Sequence, residues 1–491
     1  MKQLVIGIDG GTERILRHFD MPFTSGLLEK SAIKRPNEDV WSRGWAEMYT
    51  GLHARETKAF YEMPALDGSH RFHRKFGWKD ATGNPGVRFL WDALDQAGVR
   101  SLFMNIPTTF PAPPMKHGVF IAGAGGGLND VSTIPDGLCS SEEARRLLEE
   151  MGYVVDLRYQ PSGITELAVL FERLDEMMTR RAEGFVRLAK HYESEFGFLA
   201  FRATTIVQYV ALSEIEMLIG GMDMPELGGP EESRERPIHA MLREHYRKLD
   251  AALELLFTEL QPGSFILTAD HGHVPFLKRA NLNPVLSRLG YQQTSTAGRS
   301  LKKTVSRLLP TKLWLRLAKS APRAIKEKSR GYAVGNSRAF AHENVHGIYV
   351  NDARRFGGPV AEGDVDGVVD ELCRKFNEDP EVVANGMSAT PYRRLHLDAH
   401  FADMLPDIWV DRPEEIFFDG DGGSFVEPNP NFAPILDLRD VPTDVNSGQK
   451  GRVPLFVCDR QLGARIDDLD PADLTVVYRA VCDAFGIGPQ G

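Results

Sequence analysis

Apolar residues recur along the chain in short runs that end at polar residues or glycine. The first run, residues 4–8, stops at Asp9, Gly10 and Gly11, and a polar segment with helical spacing follows it. This alternation of buried strands and helices predicts an α/β fold with a mostly parallel central sheet and helices on both faces. Further strand-like runs lie at residues 100–106, 198–203, 264–269, 347–350 and 405–410, and helical stretches at residues 142–151 and 164–192.

Two of these runs end in an acidic residue. Asp9 follows the first run, and Asp270 follows the run in ILTADHGHVP. Ligands of parallel sheets bind beyond the carboxyl ends of the strands, where the loops converge. We therefore expect Asp9 and Asp270 to meet in one site if their strands are neighbours.

A basic segment interrupts the pattern between Arg299 and Arg330. It contains eleven lysines and arginines against one acid, Glu327, and two prolines divide it. We interpret it as two short amphipathic helices that form an inserted cap, or lid, with a core at residues 1–298 and 331–491. The segment is either a solvated basic face or a lid that touches an anionic substrate or surface.

Net charge, cysteine spacing and hydrophobicity indicate which partners and which cell compartment to expect. The formal net charge of -10 argues against nucleic acid as a partner, since binding to phosphate backbones needs an excess of lysine and arginine. The four cysteines are widely spaced and form no CxxC pair, which favours a reducing compartment. No window approaches the length of a membrane span, and the N-terminal apolar run is too short for a signal peptide. These features predict a cytoplasmic protein.

The cluster Asp270, His271, Gly272, His273 carries the most distinctive chemistry. Carboxylate and imidazole are ligands for borderline divalent metals, and a strand end followed by glycine leaves space for a ligand. The same residues could also form a hydrogen-bonded structural turn.

Several stretches give the chain a family resemblance. LVIGIDGGT, WAEMYTGLHARET and FILTADHGHVPF resemble motifs of the alkaline phosphatase superfamily, in particular its type I phosphodiesterase and nucleotide pyrophosphatase branch. Weaker similarity extends over MNIPTTFPAP, NSRAFAHENVHGIYVN and LPDIWV. The resemblance implies an alkaline phosphatase-like fold and a small-molecule anionic substrate. It also implies that Asn105, in MNIPTTFPAP, is a substrate-binding residue.

The resemblance also implies a mechanism with two metal ions, usually zinc, and a Thr or Ser nucleophile. Carried over to this sequence, Asp9, Asp270 and His271 match the ligands of the metal that also binds the nucleophile. Zinc is the expected ion, with manganese or iron as alternatives.

The nucleophile position departs from the family pattern. Aligning Trp45 and the Thr50–Gly51 pair places Trp41 at that position, and Trp cannot attack phosphorus. Ser42, one residue later, is either the nucleophile at the start of a helix over residues 44–49 or a helix cap. Arg43 beside it either pairs with a phosphate or is solvated.

The second metal centre lacks its expected ligands. Thr205 and Tyr209 stand where the family has Asp and His, and Gln449 and Lys450 stand where it has a late His. Lys450 could replace the lost cation and neutralise an anionic oxygen, or it could be a surface lysine. A site with one divalent metal ion is therefore expected, with Thr205, Tyr209 and Lys450 in contact with substrate.

Other histidines have less defined roles. His273 could act as a general acid or make a structural hydrogen bond. His346, His396 and His400 are interpreted as bystanders.

Two functions fit this sequence. The first is a metal-dependent hydrolase, or a transferase by the same route, that acts on a phosphoester or related anionic ester. The second is a non-catalytic relative that keeps the fold as a binding or regulatory module, because the nucleophile and three ligands are substituted. The intact set of Asp9, Asp270 and His271 favours the enzyme, since two carboxylates repel each other unless a cation lies between them.

Overall fold

A computed structural model describes residues 1–124, 128, 133–157, 166–220, 236–293, 334–418, 424–435, 438, 446–468 and 473–488. The predicted lid at residues 299–330 lies outside the described residues. Both predicted core boundaries, 298 and 331, lie outside them too, so this domain division stays a prediction.

The strands in chain order are β1 Gln3–Ile8, β2 Ala32–Ile33, β3 Met63–Pro64, β4 Phe72–His73, β5 Ser101–Ile106, β6 Gly118–Ala122, β7 Phe196–Phe201, β8 Ser264–Thr268, β9 Gly272–Pro275, β10 Lys278–Ala280, β11 Ala339–Ala341, β12 Gly347–Val350, β13 Ser388–Pro391, β14 Ile408–Asp411, β15 Ile416–Phe418, β16 Val426–Pro428, β17 Gly448–Gly451 and β18 Phe456–Cys458.

The α-helices in chain order are α1 Glu13–His18, α2 Pro22–Lys30, α3 Gly44–Thr50, α4 Ala54–Thr57, α5 Leu90–Gln96, α6 Glu142–Glu150, α7 Leu167–His191, α8 Ala203–Ile219, α9 Pro237–Leu260, α10 Leu282–Arg288, α11 Ala353–Phe356, α12 Val365–Glu378, α13 Pro380–Ala384, α14 Arg460–Asp468 and α15 Thr475–Ala484. Short 3₁₀ helices lie at Trp78–Ala81, Val334–Asn336, Glu362–Asp364, Arg393–His396 and Ala402–Met404. Within the described part of the chain, no helix has both the length and the apolar character needed to cross a bilayer.

The chain divides into two compact units. The first contains Met1–Tyr61, Lys75–Leu277 and Asn429–Gly491, and the second contains Glu62–Arg74 and Lys278–Pro428.

The first unit is built on a seven-stranded sheet in the order β2-β18-β8-β1-β7-β5-β6. Strands β8, β1, β7, β5 and β6 run parallel, and β18 is antiparallel to its two neighbours. Every residue of β1, β5 and β7 is buried, as expected for strands covered on both faces. The predicted fold class, with a mostly parallel sheet between helices, is therefore confirmed.

Helix α7 shows why these helices pack on the sheet. Its buried residues recur at helical spacing, with Leu167, Leu170, Phe171 and Leu174 on one side of its first two turns. They join one core with apolar residues of β1, β7 and α9. Burial of this stripe offsets part of the entropy cost of ordering the helix, because each large apolar side chain contributes roughly 1.5–3 kcal/mol.

The second unit contains a four-stranded antiparallel sheet in the order β11-β12-β14-β13. The strand-like runs at residues 347–350 and 405–410 were assigned above to the parallel sheet, but they correspond to β12 and β14 of this second sheet. Short apolar runs occur in strands of both parallel and antiparallel sheets, so the sequence pattern alone could not assign these two strands to one sheet or the other. His346, His396 and His400 also belong to this unit.

Candidate active site

Asp9 and Asp270 lie at the carboxyl ends of β1 and β8, which are adjacent parallel strands. Gly10 lies in the turn that follows β1 and has a positive φ of 70°, and a Cβ at this position would lie 2.4 Å from His273 Nδ1. Glycine is therefore needed both for the turn and for the close approach of the histidine. The structure brings Asp9, Asp270 and His271 together, with one ligand atom of each within 4.8 Å of the others.

The imidazole of His271 is held in the orientation that a metal ligand needs. Its Nδ1 lies 2.7 Å from the Gly272 carbonyl oxygen, to which it donates, so Nε2 faces the carboxylates. Nε2 lies 3.7 Å from Asp9 Oδ1 and 3.6 Å from Asp270 Oδ2. Burial, together with the nearby Lys450, lowers the pKa of His271 to about 3. The neutral imidazole, which binds metals, is thus the stable form.

The two carboxylates are buried close to each other. Burial and the charge of Asp270 raise the pKa of Asp9 to about 6, and burial also raises the pKa of Asp270. Asp270 Oδ1 accepts no hydrogen bond from any described residue. Arg202 partly compensates Asp9, because its Nε lies 3.6 Å from Asp9 Oδ2 while its Nη1 pairs with Asp156. A bound cation would relieve the remaining repulsion.

Lys450 reaches the same site from another part of the sequence. It lies on β17, which pairs with β9, and is directly opposite His273 in that ladder. Its ammonium is buried and donates no hydrogen bond to any described residue. Burial lowers the pKa of Lys450 to about 7, although the charges of Asp270 and Asp9 oppose this shift. A buried ammonium without a hydrogen-bond acceptor is costly, which points to an anionic ligand at this position.

Tyr61 also lines the site. Its backbone N–H donates to the Trp41 carbonyl oxygen, beside the bridge between Ser42 and Phe60. Its hydroxyl donates to Asp270 Oδ2 at 3.3 Å. Lys450 Nζ lies 2.9 Å from the centre of its ring, and Arg43 Cζ lies 4.5 Å from the same centre. Burial raises the pKa of Tyr61 well above 10, so the phenol is neutral when no cation is bound.

These groups line one cavity of about 460 Å³. Thr205 and Tyr209 contribute from the first two turns of α8, and the Thr205 hydroxyl makes no hydrogen bond with the described residues. The cavity therefore contains most of the residues that the sequence assigned to a site. The lining consists of Asp9, Arg43, Trp45, Tyr61, Pro107, Thr108, Ala124, Leu157, Arg202, Thr205, Ile206, Tyr209, Asp270, His271, Asn446 and Lys450.

The residues at the predicted nucleophile position lie outside this lining. Trp41 is fully buried and stacks on Phe60 with ring centres 4.0 Å apart. The Ser42 hydroxyl donates to Asp39 Oδ2 at 2.9 Å and lies 3.4 Å from His53 Nε2. Burial alone would raise the pKa of Asp39, but its contacts with His53 and Ser42 bring it well below the usual range. The geometry therefore favours a structural role for Ser42, and its role as nucleophile stays a prediction.

Asn105 and His273 are also outside the lining. The Asn105 amide donates to the Ala200 carbonyl oxygen at 2.8 Å and is fully buried. His273 is buried beside Tyr209, with ring centres 4.6 Å apart. Burial and the neighbouring His271 keep the pKa of His273 well below 6.5. The predicted substrate contact of Asn105 and acid role of His273 stay predictions.

Two residues of the cavity have no signal in the sequence. Tyr61 and Arg202 belong to none of the motifs, and Tyr61 enters the site only through the bridge that pairs Ser42 with Phe60. A lone aromatic residue after a turn has no pattern that separates it from a core residue.

A protein-family model and one solved structure agree with this architecture. The family model described as type I phosphodiesterase / nucleotide pyrophosphatase matches residues 3–424. No curated protein sequence gives a significant match. Phosphonoacetate hydrolase from Sinorhizobium meliloti 1021, solved with phosphonoformate, aligns over 99% of this chain and 96% of its own, with 11% identity and a TM-score of 0.55. Murine ectonucleotide pyrophosphatase / phosphodiesterase 5 aligns over 100% of this chain and 97% of its own, with 12% identity and a TM-score of 0.47. The family match confirms the resemblance found in the sequence.

Proposed function

Because the chain belongs to the type I phosphodiesterase / nucleotide pyrophosphatase family, we propose that it hydrolyses an anionic phosphoester or related ester with one bound divalent ion. The observation that carries this proposal is the cluster of Asp9, Asp270 and His271 beside the buried ammonium of Lys450. A transferase would use the same site with an acceptor other than water.

The residues present fit a divalent ion. Two carboxylates and one neutral imidazole form a donor set suited to zinc, with manganese or iron as alternatives. The free oxygen of Asp270 and the orientation of His271 Nε2 support the same assignment. When bound, such an ion supplies Lewis-acid polarisation of a phosphoryl oxygen.

The chain's own cations would bind the rest of the anionic group. Lys450 has no acceptor among the described residues, so its N–H groups are available to a phosphoryl oxygen. Arg43 and Arg202 line the same cavity, and Thr205 offers a hydroxyl. Lys450 then provides positive charge where the family pattern has a second metal ion, and no second ion is needed for charge balance.

Metal analysis and substrate screening test this proposal. Purified protein should contain about one zinc, manganese or iron per chain, and Asp270→Asn should lose both the ion and turnover of phosphomonoesters, phosphodiesters or phosphonates. Asp483→Asn, at an exposed position on α15, is the matched control and should keep both. Wild-type protein without bound metal after reconstitution would refute the proposal.

A non-catalytic binding module is the second candidate. It is favoured by Trp41 at the nucleophile position and by the contacts that hold the Ser42 hydroxyl on Asp39. Protein that binds one metal ion and inorganic phosphate but turns over none of these esters would support this alternative.

A further inference from the structure

The phenol of Tyr61 lies at the spacing of a metal ligand. Its oxygen is 3.3 Å from Asp270 Oδ2, while His271 Nε2 is 3.6 Å from the same oxygen and 3.7 Å from Asp9 Oδ1. In a tetrahedral site with bonds of roughly 2.0–2.2 Å, two donor atoms lie roughly 3.3–3.6 Å apart. The phenol-to-carboxylate distance is thus as suitable as the imidazole-to-carboxylate distances.

We infer that Tyr61 is a fourth protein ligand of the metal ion proposed above. This inference rests on the proposed function, and it adds a donor that no sequence motif indicates. On binding, the phenolic proton leaves to solvent and an oxygen lone pair forms the bond to the ion.

The surroundings of the ring support this role. The Lys450 ammonium nitrogen lies 2.9 Å and the Arg43 guanidinium carbon 4.5 Å from the centre of the ring, so two cationic side chains pack against the proposed donor. The backbone of Tyr61 is fixed by its hydrogen bond to Trp41 and by the adjacent bridge between Ser42 and Phe60. The oxygen is therefore held in place before any ion binds.

The inference has a consequence for the chemistry of the site. Structural metal sites are closed by four protein donors, whereas catalytic sites keep one open position. With Tyr61 the protein would supply four donors, so the Lewis-acid chemistry that a bound ion would offer a phosphoryl oxygen would depend on Tyr61 as well as on Asp9, Asp270 and His271.

Spectroscopy and metal affinity test the inference without relying on turnover. Metal-free wild-type protein, Tyr61→Phe and Tyr209→Phe are each loaded with Fe(II) and oxidised in air. Wild type and Tyr209→Phe should show the visible phenolate-to-iron charge-transfer band, and Tyr61→Phe should lack it. Tyr209 is the matched control, because its ring lines the same cavity but packs on His273.

Competition with a chelator gives a second readout for zinc. Tyr61→Phe should bind zinc at least about tenfold more weakly than wild type, with circular dichroism unchanged. If wild type binds one metal ion but shows no phenolate band, or if Tyr61→Phe keeps wild-type zinc affinity, the role of Tyr61 is refuted and the proposed function stands. If wild type binds no metal, the proposed function itself fails.

Discussion

The buried pair Glu38 and Glu47 should make the folded protein less stable as pH rises. Glu38 is 4% exposed and Glu47, on α3, is fully buried. Burial, followed by the charge of Asp39, raises the pKa of Glu38 to about 8. Burial and the charge of Glu38 raise the pKa of Glu47 well above 4.5. At neutral pH the folded state therefore retains protons that the unfolded chain has released.

The sign and size of the effect follow from these values. Below pH 4.5 both states hold the protons, and between pH 4.5 and about 8 only the folded state does, so the free energy of unfolding falls through this window. A change from 4.5 to about 8 for Glu38 corresponds to roughly 5 kcal/mol, at about 1.4 kcal/mol for each tenfold change in proton affinity. Glu38 and Glu47 interact and release their protons as a coupled pair, so this free energy describes the pair and is not divided between the two residues.

Glu47→Gln removes one ionisable group and keeps the side-chain shape. We expect thermal melts in the presence of a chelator to show no gain over wild type below pH 4.5 and a gain that grows up to about pH 8, reaching a few kcal/mol. Glu38→Gln should behave alike, because its amide oxygen can still accept from the Leu474 N–H, now at 2.9 Å from Glu38 Oε1. Glu254→Gln, exposed on α9, is the control and should give a flat difference.

A difference between Glu47→Gln and wild type that stays constant from pH 4.5 to 8, or that favours wild type at high pH, would refute the reasoning. Either result would mean that the pair is ionised in the folded state and stabilised by its surroundings.

Three further predictions concern the cavity and residues near it. Lys450→Met should lower kcat/KM at least about 100-fold while zinc content is kept, because an anionic oxygen loses its charged donor; Lys450→Arg should recover part of the loss, and Lys248→Met, at an exposed position, should have no effect. Ser42→Ala should keep turnover but lower stability by roughly 1 kcal/mol in thermal melts, because Asp39 loses a hydrogen bond, whereas complete loss of turnover with metal retained would assign the attack to Ser42. Gly10→Ala should destabilise the fold by at least about 1 kcal/mol, and the cost should be smaller in a His273→Ala background, since the added Cβ would lie 2.4 Å from His273 Nδ1; equal costs in both backgrounds would contradict the contact.

The sequence predicted the parts of the site that depend on strand ends. Asp9 and Asp270 could be placed together because each follows a fully apolar run, and such runs form the buried strands of a parallel sheet. His271 followed from its position next to Asp270. Thr205, Tyr209 and Lys450 came from the family pattern, and all three line the cavity.

The remaining features depend on contacts that leave no local pattern. Tyr61 reaches Asp270 because a short bridge joins Ser42 to Phe60, and Arg202 reaches Asp9 because β7 and β1 are neighbours. The sequence also did not reveal that Asp39 accepts hydrogen bonds from both the backbone N–H and the hydroxyl of Ser42. The contacts of Tyr61 and Arg202 join residues that are far apart in the sequence, so neither the spacing of motifs nor the amino-acid composition can predict them.

The adjacency of β1 and β8 has a consequence for the assembly of the fold. Their ends carry donor atoms from opposite halves of the chain, and Tyr61 adds a third segment. An ion held by all three would act as a reversible cross-link, and closing such long loops costs little more entropy than closing short ones. Bound zinc should therefore stabilise the pairing of β1 and β8. Amide hydrogens of these two strands should exchange more slowly in the metal-loaded protein than in the metal-free protein.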